Sequence, residues 1–436
     1  MPATIGPVAP EQLAATPLQR RPDLLALSED HALTRPAIVT VQGWQLLVAN
    51  PVARLRSLDA LDRFATAIAW RGPRPEGPPF QTAAVGCLSE DLSATLLQLP
   101  EDTRPGIAPV AAVDFGVYEW AVAVDPEGRG WIVADPDRTE VLRPWLAAAP
   151  ETAPPTPPPP VNARLGLTRR EHAAAVERIL EWIAAGDLYQ ANLTLQTAVP
   201  WARSPQMLAA RLWAATPGAA HAAMVSIDRR TAVVSASPET FLRSDSNWVT
   251  TRPIKGTRPR GSDRDRDAAQ AAQLRASAKD HAEHLMIVDL ERNDLGRVCE
   301  PGTVRVTDYA ALEGHPTVWH LTSTVQGRLR DGVGLGELLT ATFPSGSVTG
   351  TPKRMAVART ALLEPVRRGV YCGAVGIVSP GMVDLSVAIR TAVVHNGVAS
   401  YGTGGGIVAD SHPAAEFGEA MDKAAAFYTA TGASPP

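Results

Sequence analysis

The sequence has few cysteines, and they form no recognisable pair. Three occur in 436 residues, at Cys87, Cys299 and Cys372, and no CxxC motif or secretory leader accompanies them. Disulfide frameworks and zinc sites need paired or clustered cysteines, so this pattern predicts a chain kept in a reducing compartment, without a zinc cluster. We therefore expect a cytoplasmic protein.

Strong charge and long apolar runs are also missing. The formal net charge is -4, and no uninterrupted apolar run approaches the roughly 20 residues that a membrane span requires. A balanced chain offers no electrostatic attraction for nucleic acid or for an anionic membrane. Because 45% of the residues are hydrophobic, the chain can bury one large core or two modest ones. Because strong charge is missing, its partner is expected to be a small molecule.

Nucleotide-binding loops are absent as well. The sequence contains no GxxxxGK[ST] motif, and Lys353 in "PSGSVTGTPKRMA" follows Pro352 rather than glycine. The glycine run "YGTGGGIVADS" (401–411) follows a strand-like stretch and would let backbone amides approach an anion. A plain turn is an equally good interpretation of this run.

One proline-rich stretch interrupts the chain. The stretch "PETAPPTPPPP" (150–160) excludes helix and central strand, so we predict an N-terminal region at 1–149, a connector at 150–164 and a catalytic domain at 165–430. Apolar periodicity then predicts a mixed α/β organisation. The predicted helices are "LDALDRFATAIAW" and Thr168 to Asp187, and the predicted strands are "PAIVTV", "WQLLVA", "YEWAVAVD", "WIVAD", "AAMVSI", "AVVSAS", "GAVGIVS" and "LSVAIRTAVV".

Two further helical segments carry acids. In "KDHAEHLMIVDLERND" the side chains of Asp280 and Glu283 share one face, and the apolar residues that follow predict a largely buried helix. In "PAAEFGEAMDKA" the residues Glu416, Glu419 and Lys423 share a face, although the last two also fit an ordinary i,i+4 ion pair. Acids on both helices suit a hard cation such as Mg²⁺, provided that the helices meet.

Lys255 stands in "TTRPIKGTRPRG" close to Arg252, Arg258 and Arg260. Like charges and burial both disfavour the ammonium form, so we predict a lowered pKa and a nucleophilic amine. A basic, solvated surface loop is the alternative. His320 lies in a predicted strand, where a lone histidine is more often a satisfied core residue than a catalyst.

The segments together resemble the chorismate-utilising enzymes, which include anthranilate, aminodeoxychorismate, isochorismate and salicylate synthases. The resemblance covers residues 165 to 428 through the blocks "GDLYQANLT", "SASPETFL", "PIKGTRPRG", "AEHLMIVDLERNDLGRV", "HLTSTVQG", "FPSGSVTGTPKRMA", "YCGAVGI", "VAIRTA", "YGTGGGIVADS" and "EFGEAMDKA". It implies an α/β (α+β) fold of two packed, antiparallel-rich sheets with surrounding helices.

Two positions choose a branch of this family. Lysine at 255 is typical of the aminodeoxychorismate branch, where anthranilate synthases have alanine, and Gln190 stands where isochorismate-type members carry a water-activating lysine. The resemblance thus implies Mg²⁺-dependent amination of chorismate to 4-amino-4-deoxychorismate, for 4-aminobenzoate and folate synthesis. Anthranilate synthesis and a catalytically silent binding subunit remain the alternatives.

The resemblance also assigns roles to individual residues. It implies that Lys255 is a covalent nucleophile, that Glu239 is the general acid or base, and that Glu283 and Glu419 are Mg²⁺ ligands. Asp280, which is a glutamate in many relatives, and Glu416 are implied to lie next to the metal ligands without binding the metal directly. The implied substrate contacts are Gly256, Thr257, His320, Tyr371, Arg390, Gly404, Gly405, Gly406 and Lys423.

A source of ammonia is missing from the chain. Cys87 lies in "AVGCLSED" and lacks the Gly-x-Cys-x-Gly elbow of a glutaminase. The resemblance therefore implies a separate glutamine amidotransferase subunit as partner.

Overall fold

The computed structural model describes residues 13–66, 77–148, 156–245 and 247–436. Most of the proline-rich stretch and the end of "LDALDRFATAIAW" lie outside these residues. The helices are α1 Leu24–Ser28, α2 Leu58–Thr66, α3 Leu92–Leu96, α4 Pro136–Ala147, α5 Arg169–Ala184, α6 Pro205–Ala215, α7 Arg264–Ala276, α8 Ala278–Gly296, α9 Leu335–Thr342, α10 Lys353–Thr360 and α11 Pro413–Thr431.

The strands alternate with these helices along the whole chain. They are β1 Ala14–Pro17, β2 Ala37–Val41, β3 Trp44–Val48, β4 Ala53–Leu55, β5 Ala83–Leu88, β6 Val113–Tyr118, β7 Ala121–Val124, β8 Gly130–Ala134, β9 Val161–Asn162, β10 Arg164–Leu165, β11 Gln190–Pro200, β12 His221–Asp228, β13 Thr231–Ser237, β14 Thr240–Asp245, β15 Trp248–Arg252, β16 Ile254–Pro259, β17 Arg305–Gly314, β18 Val318–Arg328, β19 Gly350–Thr351, β20 Ala374–Ser379, β21 Met382–Val387, β22 Thr391–His395, β23 Val398–Ile407 and β24 Ala433–Ser434.

Two large antiparallel sheets organise the described residues. The first sheet has 12 strands in the order β1-β8-β7-β3-β2-β12-β13-β22-β23-β11-β10, with β19 beside β11. The second sheet has 10 strands in the order β16-β18-β15-β14-β21-β20-β5-β6-β4, with β17 beside β18. This architecture confirms the predicted α+β class with two antiparallel-rich sheets.

The sheets pack face to face between two layers of helices. Val39 and Val233 of the first sheet share a buried cluster with Val85 and Ile377 of the second. The outer face of the first sheet is covered by α6 and α11, and the outer face of the second by α8 and α9. Burial of these apolar faces is the main stabilising term of the fold.

The N-terminal region completes both sheets. Strands β1, β2, β3, β7 and β8 extend the first sheet, and β4, β5 and β6 extend the second. The predicted division near residue 150 is therefore a division in sequence, while the strands on either side of it share their cores.

Most predicted elements are present where the sequence placed them. Helix α5 begins at a capping box in which the Thr168 hydroxyl accepts from the Glu171 amide and the Glu171 carboxylate accepts from the Thr168 amide. Gly186, at φ +81°, follows its end. None of the helices in the described part of the chain has the length and apolarity to cross a membrane.

The stretch "LSVAIRTAVV" was wrongly predicted as one strand. It forms β21 in the second sheet and β22 in the first, and the chain crosses between the sheets at Ala388 to Arg390. Both strands are buried, so the apolar pattern continues through the crossing without a visible break. Arg390 adopts a φ of +49° at this crossing.

The glycine run is also different from the prediction, since it lies inside β23 rather than in a loop after a strand. A Cβ at Gly404 would lie 2.2 Å from the Leu193 carbonyl oxygen of the neighbouring β11, so the strands can approach only because glycine stands there.

Helix α8 was wrongly predicted to be largely buried. Ile287, Val288 and Leu295 face the core, while the Leu285 side chain is 56% exposed and Asp289 is exposed. The helix covers the outside of the second sheet and therefore needs only one apolar face.

A buried ion pair fastens the segment after α10 to the first sheet. The Arg368 guanidinium pairs with Glu364 at 2.8 Å and donates to the carbonyl oxygens of Asn192 and Val348, and both side chains are almost fully buried. The Glu364 carboxylate also accepts from the Thr194 amide.

We expect Arg368→Met to lower the free energy of unfolding by about 3 kcal/mol, because it removes the closer of the two guanidiniums that pair with the buried Glu364 carboxylate and leaves only Arg104, 3.6 Å away. The double variant Arg368→Met/Glu364→Leu should lose less than the single one. Urea unfolding followed by circular dichroism measures both. Arg178→Met, which breaks an exposed pair with Glu181, is the control and should cost no more than about 1 kcal/mol. A loss as small as the control's would contradict this role for the buried pair.

Candidate active site

Lys255 lies on β16, where the ladder with β18 is irregular. The register shifts between Lys255 and Thr257, and the intervening Gly256 adopts a φ of +74°. A Cβ at Gly256 would lie 2.8 Å from Leu274 Cδ1 and would be strained at this φ, so glycine is required. The irregularity leaves Lys255 Nζ donating to the Ser347 carbonyl oxygen at 2.9 Å.

The electrostatics around Lys255 favour a neutral amine. Burial lowers its pKa, and the nearby Lys423 ammonium acts in the same direction, while Glu239 opposes both. The predicted lowering of this pKa is therefore supported. Its predicted cause in the neighbouring arginines is wrong, because each guanidinium is paired with a carboxylate: Arg252 with Glu313, Arg258 with Asp280, and Arg260 with Asp267.

Glu239 lies between β13 and β14, where the chain passes from the first sheet to the second. Its side chain is 3% exposed, and burial raises its pKa to about 7, while a hydrogen bond from the Ser347 side chain and the nearby Lys255 act against this increase. A carboxyl group with this pKa exchanges protons readily near neutrality. The structure thus brings the predicted nucleophile and the predicted general acid to the same place.

Three charged side chains of α11 converge on the glycine strand. A Cβ at Gly405 would lie 3.3 Å from Glu416 Oε2, 3.7 Å from Glu419 Oε1 and 3.9 Å from Lys423 Nζ. Lys423 Nζ pairs with Glu419 at 2.7 Å and donates to the Gly404 carbonyl oxygen at 2.9 Å. The i,i+4 ion pair of Glu419 and Lys423, which the sequence analysis gave as an alternative, is therefore present. Both side chains also face the glycine strand.

Glu283 approaches the same region from α8. The pKa of Glu283 is raised, and burial is the main cause. The Lys255 and Lys279 ammonium groups oppose this increase, whereas Glu419 is close enough to add to it. The two helices therefore bring their acids together. Two carboxylates with space for water and substrate oxygens fit Mg²⁺, which uses few protein ligands. Among the described residues, no group of three or more His, Cys, Asp and Glu side chains is arranged to hold a metal.

Asp280 and Glu416 already have other partners. Asp280 pairs with Arg258 at 2.8 Å and lies beside Gly256, and Glu416 accepts from the Ser411 hydroxyl at 2.6 Å. Their predicted support of a metal stays a prediction. The observed contacts of Asp280 are its ion pair with Arg258 and its packing beside Gly256, the residue that follows Lys255.

Thr257 and His320 contact each other across β16 and β18. The Thr257 hydroxyl hydrogen-bonds His320 Nδ1 at 2.9 Å. Burial, followed by the charge of Arg390, lowers the pKa of His320 to about 3, so the imidazole is neutral at pH 7. Although His320 is buried, it lines a cavity of about 290 Å³ together with Arg390 and Lys423, so it is more than a core residue.

Tyr371 lies behind the glycine strand. Its ring is so close to Gly402 that a Cβ there would lie 2.2 Å from Tyr371 Cγ. No hydrogen bond joins Tyr371 to Arg390 within the described ranges, so their joint clamp on a carboxylate stays a prediction. Arg390 reaches the cavity because the chain crosses between the sheets at this residue.

Ser347 was missed by the sequence analysis. Its carbonyl oxygen accepts from Lys255 and its hydroxyl bonds Glu239. The segment "PSGSVTGTPKRMA" resembles a phosphate loop only superficially, and nothing in its composition indicates contact with two residues some hundred positions earlier. Lys353 of this segment pairs with Asp294 at 2.6 Å and donates to the Thr342 carbonyl oxygen, which is a structural role.

The chain is similar to known proteins in sequence. A family model described as chorismate binding enzyme matches residues 27–429. Aminodeoxychorismate synthase component 1 of Klebsiella aerogenes is 40% identical over 349 residues, which cover 79% of this chain and 76% of that protein. Anthranilate synthase component 1 of Streptomyces coelicolor is 44% identical over 265 residues, which cover 61% of this chain and 52% of that protein.

The fold has a counterpart among solved structures. The crystal structure of anthranilate synthase component I from Streptococcus pneumoniae superposes with a TM-score of 0.76 at 27% identity, and the match covers 98% of this chain and 94% of that one. The resemblance inferred from the ordered sequence blocks is thereby confirmed. The chain belongs to the family of chorismate-binding enzymes.

Proposed function

We propose that this chain catalyses the Mg²⁺-dependent amination of chorismate by ammonia to 4-amino-4-deoxychorismate, for 4-aminobenzoate and folate synthesis. The observation that carries the proposal is the proximity of Lys255 and Glu239, since each acts on the pKa of the other and Ser347 contacts both side chains. Relatives named aminodeoxychorismate synthase component 1, which are 37–40% identical over about 80% of the chain, support the same branch.

The first step removes the hydroxyl group of ring carbon 4. The neutral amine of Lys255 attacks ring carbon 2, the double bond shifts, and the hydroxyl leaves as water with the proton of Glu239. The pKa of Glu239, about 7, leaves a useful protonated fraction for this transfer. A proton from the new secondary ammonium returns to the Glu239 carboxylate.

The second step replaces the lysine. Ammonia adds at ring carbon 4, the double bond shifts back, and the lysine nitrogen leaves ring carbon 2 with a proton. The net change is chorismate plus ammonia to 4-amino-4-deoxychorismate plus water. The enolpyruvyl group is retained, and Arg390 and Tyr371 would hold its carboxylate, for which a guanidinium fork is well suited.

Glu283 and Glu419 would hold the metal ion against the ring carboxylate. When bound, Mg²⁺ would neutralise that carboxylate and fix its orientation. Lys423 and the amides of Gly404 to Gly406 would contact the same carboxylate. Of these glycines Gly405 faces Glu416, Glu419 and Lys423, so its missing side chain leaves room on the side where those charged groups lie.

Anthranilate synthesis is the second candidate. It is favoured by the 44% identity to an anthranilate synthase component 1 over 265 residues. Lys255 argues against it, because a lysine that occupies ring carbon 2 directs ammonia to carbon 4. A silent binding subunit would not need an amine and a carboxyl group buried together with displaced pKa values.

Ammonia would come from a glutamine amidotransferase subunit. The relatives are named component 1, which is the observation that supports a partner component. The described cysteines are all buried, and burial raises the pKa of the Cys87 and Cys372 thiols, so neither is an activated glutaminase nucleophile.

The product decides between the two reactions. Incubated with chorismate, Mg²⁺ and ammonium, the purified chain should yield an aminated product that retains the enolpyruvyl group, identified by its mass. Anthranilate with stoichiometric pyruvate, formed without an added lyase, would overturn the proposal in favour of the second candidate. Absence of any chorismate consumption would favour the silent subunit.

We expect Lys255→Ala to lower amination by roughly 10²-fold or more, because the covalent route is lost. Lys255→Arg should be equally inactive, since a guanidinium stays protonated. Mass spectrometry of enzyme held with chorismate and no ammonia should detect an adduct on the peptide that contains Lys255. Near wild-type amination in Lys255→Ala, with no adduct on the wild-type peptide, would show that the lysine is not the nucleophile.

We expect Glu283→Gln and Glu419→Gln to abolish turnover at limiting Mg²⁺ without unfolding the protein, because each removes an anionic ligand. Activity should be measured across a Mg²⁺ titration after treatment with a chelator. Glu181→Gln, which removes an exposed carboxylate of α5, serves as the matched control. Full activity of either site variant at limiting Mg²⁺ would contradict the assignment.

A further inference from the structure

Glu291 is a buried carboxylate that the proposed reaction does not use. It lies on the inner face of α8 with 1% of its surface exposed. Its Oε1 accepts from the Ser345 hydroxyl at 3.0 Å and from the Gly346 amide at 2.9 Å, and its Oε2 has no hydrogen-bond partner among the described residues. A buried carboxylate is costly, so this site retains a destabilising group.

The segment that Glu291 binds is the one that contacts both reactive side chains. Ser345 to Ser347 form a tight turn in which the Ser345 hydroxyl accepts from the Ser347 amide and lies 3.1 Å from the Ser347 hydroxyl. Ser347 then accepts from Lys255 Nζ through its carbonyl oxygen and bonds Glu239 through its hydroxyl. Glu291 therefore binds the two residues that immediately precede Ser347, the residue that contacts the reacting groups.

The turn is fitted closely against α8. A Cβ at Gly346 would lie 2.6 Å from Leu290 Cδ2 and 3.2 Å from Glu291 Oε1, so glycine lets the backbone approach the carboxylate. One turn further along α8, Asp294 binds Lys353, which also donates to the Thr342 carbonyl oxygen just before the segment. The helix thus holds the chain on both sides of the turn.

We propose that Glu291 is a positioning residue, whose carboxylate fixes the Ser345 to Ser347 turn so that Ser347 orients Lys255 and Glu239 for reaction. The inference rests on the proposed function for the identity of the reacting pair. Misplacement of a reacting group by about 1 Å can cost 10²-fold in rate, so a residue that touches no substrate can still control turnover.

Two substitutions separate the hydrogen bonds from the charge. Glu291→Gln keeps an oxygen that accepts from Ser345 and Gly346, whereas Glu291→Met keeps the length of the side chain and removes both acceptors. Both residues suit a helix. Asp289→Asn, on the exposed face of the same helix, removes a charge without touching the turn and is the matched control.

The expected result is a loss of kcat at nearly constant KM. Glu291→Met should lower kcat about 10²-fold, since the turn is released, while KM for chorismate stays within about threefold because the substrate contacts lie elsewhere. Glu291→Gln should restore kcat to within about fivefold of wild type. Ser345→Ala removes one link and should lower kcat about tenfold with the same constant KM.

A second readout does not depend on the reaction. Hydrogen exchange of the peptide spanning residues 343–351 should be faster in Glu291→Met, because the Gly346 amide loses its acceptor, and unchanged in Glu291→Gln and Asp289→Asn.

Other results would overturn the proposal. Wild-type kcat in Glu291→Met, equal losses in the glutamine and methionine variants, or unchanged exchange of the 343–351 peptide would each show that Glu291 does not position the turn. If wild type makes anthranilate, the proposed function fails, and the same kcat comparison is then made on anthranilate formation. If wild type makes no product, the exchange measurement alone decides whether Glu291 holds the turn.

Discussion

The burial of one amine beside one carboxyl group governs the chemistry of this protein. Glu239 is fully buried and Lys255 is half-buried, and burial is the largest influence on the pKa of each. Burial moves the two values toward each other, because it disfavours the ammonium and the carboxylate alike. An amine that is less readily protonated beside an acid that is more readily protonated is the combination that the proposed displacement of a poor leaving group requires.

The site lies where the chain passes from one sheet to the other, which it does at two adjacent places. The chain passes from β13 to β14 at Glu239 and from β21 to β22 at Arg390. The two crossings are joined by backbone hydrogen bonds, from the Val387 amide to the Glu239 carbonyl oxygen at 3.0 Å and from the Ala236 amide to the Arg390 carbonyl oxygen at 3.1 Å. Arg390, at the second crossing, lines the cavity of about 290 Å³ together with Pro238, which directly precedes Glu239 at the first.

Local sequence patterns predicted the features that depend on short-range interactions, namely the secondary-structure elements and the residues that share one helix face. The helix that begins at Thr168, the paired acids of α8 and α11, and most strands follow from spacing alone. The crossing at Arg390 was hidden because both flanking strands are buried and read as one apolar run. The two contacts of Ser347 depend on a turn brought from ninety residues away, and no periodicity encodes such a meeting.

The arginines around Lys255 show why a positive stretch of sequence need not produce a positive site. An arginine stays charged under all ordinary conditions, so when it lies near the interior it is most stable beside a carboxylate. Glu313, Asp280 and Asp267 supply those carboxylates from other elements and cancel the charges locally. Lys255 is the exception in its own stretch, because its Nζ binds a carbonyl oxygen and not a carboxylate. Among the described residues no carboxylate forms an ion pair with its amine, and this difference in partners, which only the folded chain reveals, distinguishes the lysine that we propose as the nucleophile from its charged neighbours.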